Sequence, residues 1–369
     1  MKTLILSANT GQGHNSCAKA ISEAFADHGD ECVIQDVFGL VSQKLSKTIS
    51  RQHEVSYRKT PRLSGSGYRF LEQHPKLFSK ERLIYHIMSI GRRQVASCIH
   101  EGHFDTVICT HVLAAMILTS AIRHENIHVK SAFVATDYSC SPGVNGTEMD
   151  LYFIPHESLA GDFLAAELPP EKVVPVGIPV QKAFTCSGEK EAAKKAFGLQ
   201  ADHQHLLMMC GSMGCGPLPE MLRSIARSMR DKWEITVVCG TNEALETELR
   251  KEHENNPFIH ILGYEKRMPQ LLSCTDLYLT KPGGLSTSEA AAAAVPMVLI
   301  DAVAGCEENN LRHFVRLGAA VTGDTVEDVI LACVDLMRDS VRREGMKKKL
   351  RKQPSCNAAE EIRRAISTL

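Results

Sequence analysis

Lys281-Pro-Gly-Gly-Leu-Ser-Thr-Ser-Glu289, running on into Ala290-Ala-Ala-Ala-Ala294, is the stretch whose reading decides the fold. It follows an apolar run, residues 277–280, that reads as a buried strand. Serine and threonine after the glycine pair are side chains that cap free helical amides, and alanine has high helix propensity, so a helix is predicted through the alanine run. Gly283 and Gly284 let a ligand approach the backbone closely. A helix N-terminus behind them presents N–H groups and a partial positive charge, which suits a phosphate or diphosphate. Glu289 falls one turn inside and can accept hydrogen bonds from sugar hydroxyls, while Lys281, Leu285 and Ser286 border the turn. Together these point to a nucleotide-sugar. A glycine turn of this kind also serves simple close packing, so the rest of the chain has to discriminate.

Working outward, apolar strand-like runs alternate with helical patterns along all 369 residues, the signature of parallel sheets with crossover helices. Strands are predicted over residues 3–7, 32–35, 106–110, 132–136, 151–154 and 173–176, then over 206–210, 235–239, 259–262, 277–280 and 297–300. Helices are predicted over residues 16–28 and 188–197. Pro175 and Pro179 stiffen the segment around Gly177-Ile-Pro-Val180, so the joint between two α/β domains, 1–178 and 179–369, is set there. The last helix is a candidate to return to the N-terminal domain. Each half opens alike: strand, glycine loop, helix, with Asn9-Thr-Gly-Gln-Gly-His14 in one and Gly211-Ser-Met-Gly-Cys-Gly216 in the other.

A chain this long exceeds one ordinary core. Its formal net charge of -1 gives no reason to expect nucleic acid. Thirteen cysteines, with no C-x-x-C pair, argue for reduced thiols rather than a disulfide framework. Cys210 and Cys215 lack the second pair or histidine cluster a zinc site needs, and no Asp-x-Asp pair stands beside the glycine motifs, so a firmly bound metal is not implied; magnesium remains compatible. The N-terminus enters a strand without signal-peptide features, and no apolar run approaches the roughly 20 residues of a spanning helix. A cytoplasmic protein, peripheral on the inner face of the cell membrane, is the expectation.

Residues 41–95 break the pattern, with twelve Lys or Arg against three acids and aromatic and aliphatic residues interleaved. Such a stretch, ending in Arg92 and Arg93, suits an anionic membrane surface; a solvated helical insertion is the plainer account.

Polar residues recur just past predicted strand ends, where open α/β sheets hold ligands. They are Gly13 and His14; Thr110-His111; Thr136-Asp137; Gly211, Ser212 and Met213; Gly240 and Asn242; Gly263 and Tyr264; and Glu307, Glu308 and Asn310. His14, where a helix begins, has the imidazole a general base requires near neutral pH, or braces the loop. Asp137 orients that histidine, acts as the base itself, or makes a turn. His111 and His156 follow strands and are more readily turn or capping groups than ligand contacts. Glu307 and Glu308 hold sugar hydroxyls or begin a helix near Asn309.

These motifs, in this order over nearly the whole chain, resemble the diacylglycerol glycosyltransferases: plant-type monogalactosyldiacylglycerol synthases and bacterial processive diacylglycerol glucosyltransferases. Among them are Thr10-Gly-Gln-Gly-His14, Thr136-Asp-Tyr138, Val176-Gly-Ile-Pro179, Cys239-Gly-Thr-Asn-Glu243, Lys281-Pro-Gly-Gly-Leu285 and Gly305-Cys-Glu-Glu-Asn-Asn310. The resemblance implies a GT-B fold, two Rossmann-like domains facing across a cleft, and inverting transfer of a hexose from a UDP-sugar to a lipid acceptor, with no tightly bound cofactor. It places Gly211, Ser212, Met213, Gly283, Gly284, Leu285 and Ser286 toward the diphosphate and Gly263 and Tyr264 toward the uracil. It places Glu289 at the ribose, Glu307, Glu308 and Asn310 at the hexose, and Gly240, Asn242 and Lys281 around the donor. His14 and Asp137 would stand at the reacting hydroxyl, with Gly13, His111, Arg92 and Arg93 on the acceptor and membrane side.

Two departures bear on specificity. The family run Thr-Asp-Phe-x-x-His-x-x-Trp is Thr136-Asp-Tyr-Ser-Cys-Ser-Pro-Gly-Val144 here, and the usual Pro-Gly-Gln-Glu-Glu is Ala304-Gly-Cys-Glu-Glu308. Another acceptor, polyprenyl-linked or small and soluble, a non-catalytic UDP-sugar sensor, and a UDP-sugar epimerase all remain open. The identity of the sugar, processivity and oligomeric state are open as well.

Overall fold

The structure, a computed structural model, describes residues 1–59, 74, 90–185, 190–229, 232–300, 302, 305–353 and 357–369. Most of the basic stretch therefore lies outside the described residues, as does the expected start of a helix at Gly188. The described chain forms two compact units: Met1–Gln181 with Val303–Asn309 and Pro354–Leu369, and Lys182–Ala302 with Asn310–Gln353.

Unit 1 holds a parallel sheet of six strands, β1 (Lys2–Ser7), β2 (Glu31–Asp36), β3 (Thr106–Cys109), β4 (Lys130–Val134), β5 (Leu151–Ile154) and β6 (Val173–Pro175), in the order β2-β1-β3-β4-β5-β6. The direction of winding reverses between β1 and β3, so the loops leaving their carboxyl ends diverge and open a crevice. The register Leu6↔Cys109 sets those ends level. Leu4, Leu6, Val107, Cys109 and Phe133 are buried in one core with Ala114, Ile117 and Leu118 of the helix Val112–His124. Each large aliphatic side chain so buried contributes about 1.5–3 kcal/mol of transfer free energy before the entropy of ordering it. The last helix, Ala358–Ser367, packs on α1 (Gln12–Ala26), and Arg363 and the N-terminal ammonium both reach Asp30, at 3.6 and 2.7 Å.

Unit 2 holds β7 (Gln204–Met209), β8 (Trp233–Val238), β9 (Ile259–Leu262), β10 (Leu277–Thr280), β11 (Met297–Leu299) and β12 (Ala320–Val321), ordered β12-β11-β10-β7-β8-β9. Counted from β7 this is the doubly wound order 3-2-1-4-5-6, with its switch point between β7 and β10. Eleven of the twelve strands coincide with predicted ones within a few residues. β12 is two residues long and has no alternation to read.

Helix boundaries differ in instructive ways. α1 starts at Gln12, earlier than the predicted residue 16, because the exposed Gly11 (φ +111°) turns the chain directly into it. The helix after β10 runs only Gly284–Ala292, so the alanine run does not stay helical. Val295 precedes Pro296 and is biased against the α conformation. The chain stops in a Schellman turn with Ala294 at φ +54° and Val295 N–H donating to Ala290 O at 2.8 Å.

Candidate active site

In unit 1 the crevice at the switch point collects the polar residues that follow β1, β3 and β4. His14 Nδ1 lies 2.7 Å from Thr110 O. A carbonyl only accepts, so Nδ1 carries the proton and the neutral ring keeps its lone pair on Nε2. Thr136 Oγ1 lies 3.1 Å from the same Nδ1, and Thr110 Oγ1 donates back to His14 O at 3.2 Å. Three strand ends thus fix one imidazole in the Nδ1-protonated tautomer, whose basic nitrogen is Nε2.

His111 packs edge-on against His14, ring centroids 4.7 Å apart, while its Nδ1 accepts Leu113 N–H as the cap of its helix. His156 likewise caps through Ser158 N–H. The capping alternative thus describes both histidines, although the ring of His111 also forms one wall beside His14.

Asp137 directly follows Thr136. Its charge, with that of Glu307, adds to burial in holding the Cys306 thiol well above its usual range. Cys306, Glu307 and Glu308 open the helix Cys306–Leu317, which begins three residues before the predicted Asn309 and puts both acids in its first turn. Glu307 is buried. Arg92 and Arg93 sit at the start of the helix Arg92–Gly102 and share Glu125, at 2.8 and 3.8 Å; Arg93 is 80% exposed and Arg92 about half as much.

In unit 2 the register Thr280↔Met209 sets the loops after β7 and β10 side by side. The first is tightly folded. Gly211 and Gly214 have φ +71° and +56°, and a Cβ on Gly214 would fall 2.1 Å from Cys239 O. Gly240 (φ +59°) is held against it, Thr241 N–H donating to Ser212 O at 2.9 Å. Asn242 clasps the two loops, donating Nδ2 to Gly214 O at 3.0 Å and accepting Leu245 N–H through Oδ1 at 3.1 Å. Its amide therefore shapes the loop, a role the sequence reading missed.

The second loop departs from the expected capping. The N-cap is Gly283, which offers no side chain, and Thr287 and Ser288 lie inside the helix, their hydroxyls donating back to the carbonyls of Gly283 and Gly284 at 2.9 and 2.7 Å. The first-turn amides of Gly284, Leu285 and Ser286 precede the first helical bond, Thr287 N–H to Gly283 O. Beyond Gly283's own chain neighbours, no atom of the described residues lies within 4 Å of where a Gly283 Cβ would be. Open space in front of uncapped amides is what an anion requires. Asn310 is fully buried and donates Nδ2 to Pro282 O at 2.9 Å, bracing this turn.

Glu289 is half-buried, and burial pushes its carboxyl up to about 8. Lys281 borders the turn, half-buried. Gly263 lies against Glu246, and Tyr264 is 57% exposed at the end of β9. Among the described residues no group of three or more His, Cys, Asp or Glu is placed to hold a metal, and no helix is long and apolar enough to cross a membrane.

Comparison with known proteins bears on the family and the fold. Residues 14–180 match the family model of monogalactosyldiacylglycerol synthase, and residues 205–363 match the glycosyltransferase family 28 C-terminal domain. A processive diacylglycerol beta-glucosyltransferase of Bacillus cereus (strain AH187) is 27% identical over 98% of this chain and 93% of its own length. The solved structure of Acinetobacter baumannii MurG superposes with a TM-score of 0.65 at 15% identity, covering 100% of this chain and 99% of that one. S. aureus MnaA, solved with UDP, superposes with a TM-score of 0.62 at 14% identity, covering 98% and 94%. The chain thus joins a monogalactosyldiacylglycerol synthase match to a glycosyltransferase family 28 C-terminal match, is similar to the diacylglycerol glycosyltransferases, and has the GT-B glycosyltransferase fold.

Proposed function

We propose that this glycosyltransferase moves a hexose from a UDP-sugar to diacylglycerol at a membrane surface, with inversion at the anomeric carbon. The observation that carries the reading is the uncapped helix N-terminus at Gly283–Ser286 beside the clasped Gly211–Gly214 loop, a cradle for a diphosphate. The MnaA structure with UDP supports a uridine nucleotide, and the Bacillus relative's name supports the acceptor.

In the proposed step, His14 Nε2 takes the proton of the acceptor hydroxyl. The oxygen attacks the anomeric carbon as the bond from that carbon to the UDP oxygen breaks. UDP leaves with the electron pair, its charge stabilised by the first-turn amides of Gly284, Leu285 and Ser286. Asp137 stands beside the histidine's threonine partner, and Glu289 takes the ribose hydroxyls. Glu307 and Glu308 read the hexose, while the Gly263-Tyr264 backbone faces the uracil. Arg92, Arg93 and the rest of the basic stretch rest on anionic lipid.

The test is UDP release from a panel of UDP-sugars, with and without diacylglycerol in anionic liposomes. Release that depends on the lipid, with one preferred sugar, supports the reading. UDP binding without lipid-dependent release overturns the acceptor and turns attention to residues 139–144. A new nucleotide-sugar in the lipid-free incubation overturns transfer in favour of epimerisation.

A further inference from the structure

In unit 1 a chain of polar side chains runs from the helix that carries His14 to the helix Gln43–Lys59. Ser7 Oγ donates to Asn15 Oδ1 at 2.7 Å, and Asn15 Nδ2 donates to Asn9 Oδ1 at 2.9 Å. Asn9 Nδ2 donates to Ser46 Oγ at 3.4 Å, the longest link, and the Ser46 hydroxyl donates to Asp36 Oδ2. The far end dictates the direction of the whole chain. Asp36 accepts throughout, taking Asn9 N–H at 3.2 Å and Gly39 N–H at 3.0 Å besides the Ser46 proton. Ser46 Oγ is therefore left to accept from Asn9, which turns its Oδ1 toward Asn15. Asn15 must then donate with Nδ2 and accept Ser7 with Oδ1. Ser7 and Asp36, the two ends, face each other as the last pair of the β1–β2 register. Ser7 and Ser46 are buried.

Helix capping accounts for part of this, since Asp36 is the N-cap of the short helix Val37–Val41 and holds Gly39 N–H in that role. Capping does not account for Asn15. The helix α1 starts behind Gly11, which offers no side-chain cap, so its first turn is held by the side chains that reach out from it. His14 reaches one way, to Thr110 O and Thr136 Oγ1 at the ends of β3 and β4. Asn15, the next residue and about 100° further round the helix, reaches to the end of β1 and the loop after it.

We propose that Asn15, Asn9, Ser46 and Asp36 act as one set of positioning residues for His14. They act through the histidine and not on the substrate. Together they fix the rotation of the first turn of α1, and with it the angle at which the imidazole meets Thr110 O. Because each member of the chain has a single orientation, the tie is stiff, and cutting it at either end frees the same turn. One end lies in the helix Gln43–Lys59, which opens the basic stretch and exposes Lys44, Lys47 and Arg51. A shift of that helix is thereby felt at the base. Misplacing a catalytic group by about 1 Å costs on the order of a hundredfold in rate. The inference rests on the transferase reading above, in which His14 is the base.

The experiment compares the full chain with Asn15→Ala, Ser46→Ala, the double variant, and Thr247→Ala as a control whose exposed hydroxyl donates only to Glu243 O of its own helix. Transfer from a UDP-sugar to diacylglycerol is measured well below each variant's Tm, with kcat and KM separated. Asn15→Ala is expected to lower kcat by ~10–100-fold and Ser46→Ala by at least ~3-fold, with KM for the UDP-sugar within ~3-fold of wild type. The double variant should fall no more than ~2-fold below Asn15→Ala, since both cut one chain, and the control should stay within ~2-fold of wild type. Proton–nitrogen correlation NMR of the histidine rings, with His14 assigned by its loss in His14→Ala, reads the tautomer without any substrate. Wild type should hold the proton on Nδ1, and Asn15→Ala and Ser46→Ala should each show both tautomers. Wild-type kcat in Asn15→Ala, additive losses in the double variant, or an unchanged His14 tautomer in both single variants overturns the proposal. If Asn15→Ala does not fold, Ser46→Ala decides on the same readouts. A wild type without turnover defeats the transferase reading, and the NMR comparison then decides the positioning on its own.

Discussion

Gly240→Ala is the sharpest test of how the donor loop is built. The residue sits at φ +59°, and its added Cβ would lie 2.2 Å from Ser212 O, a backbone atom that no rotamer change can move aside. Holding alanine in the left-handed region costs about 1–2 kcal/mol. Relieving the overlap requires the Gly211–Gly214 loop to retreat by roughly 1 Å, and forced shifts in packed structure cost about 1–3 kcal/mol more. The loop is tied to Gly240's neighbours by the Thr241 N–H to Ser212 O bond and the Asn242 clasp, so the retreat breaks or stretches those bonds. Thermal unfolding should fall by roughly 5–10 °C. UDP affinity, measured by isothermal titration, should drop on the order of tenfold to a hundredfold. Gly211→Ala is the paired control: φ is +71°, but beyond its chain neighbours no atom of the described residues lies within 4 Å of its Cβ. It should lose UDP affinity, through a methyl in the anion's space, with a Tm change under half that of Gly240→Ala. A Gly240→Ala protein with wild-type Tm and UDP affinity would refute the account of the loop.

His14→Ala should abolish transfer while leaving UDP affinity within about twofold, since Thr110 and Thr136 of unit 1 hold the imidazole; wild-type turnover removes it from the mechanism. Glu289→Gln should change the pH dependence of stability. A carboxyl raised from 4.5 to about 8 holds its proton in the native state where the unfolded chain has lost it. Wild-type stability therefore falls as pH rises from about 4.5 to 8, by an amount on the order of a few kcal/mol, and the glutamine variant should flatten that slope in urea titrations; parallel slopes would show that the carboxyl is solvated after all. Arg92→Gln with Arg93→Gln should weaken binding to anionic liposomes in a salt-dependent manner, with the larger share from Arg93 because Glu125 already neutralises Arg92 at 2.8 Å; unchanged affinity would refute a membrane role for that helix start.

The residues by themselves determined the alternation of strand and helix, because period-2 and period-3.6 patterns are local consequences of backbone geometry. They also placed the glycine loops, since left-handed turns and close approaches have few chemical solutions. The tautomer of His14 was not legible. It depends on Thr110 O and Thr136 Oγ1, about a hundred residues away in sequence and adjacent only because β1, β3 and β4 are neighbours. Asn242 and Asn310 looked like ligand residues by type, yet each spends amide hydrogen bonds on a backbone turn, a choice that exists only once the loops have met. The serines and threonine after Gly284 had the chemistry of caps, and folding placed Thr287 and Ser288 one turn too deep, leaving the helix start without a side-chain cap. Local pattern thus set where functional groups stand along the chain; strand order and register decided which of them meet, because a parallel sheet joins segments by hydrogen bonding across sequence and not along it.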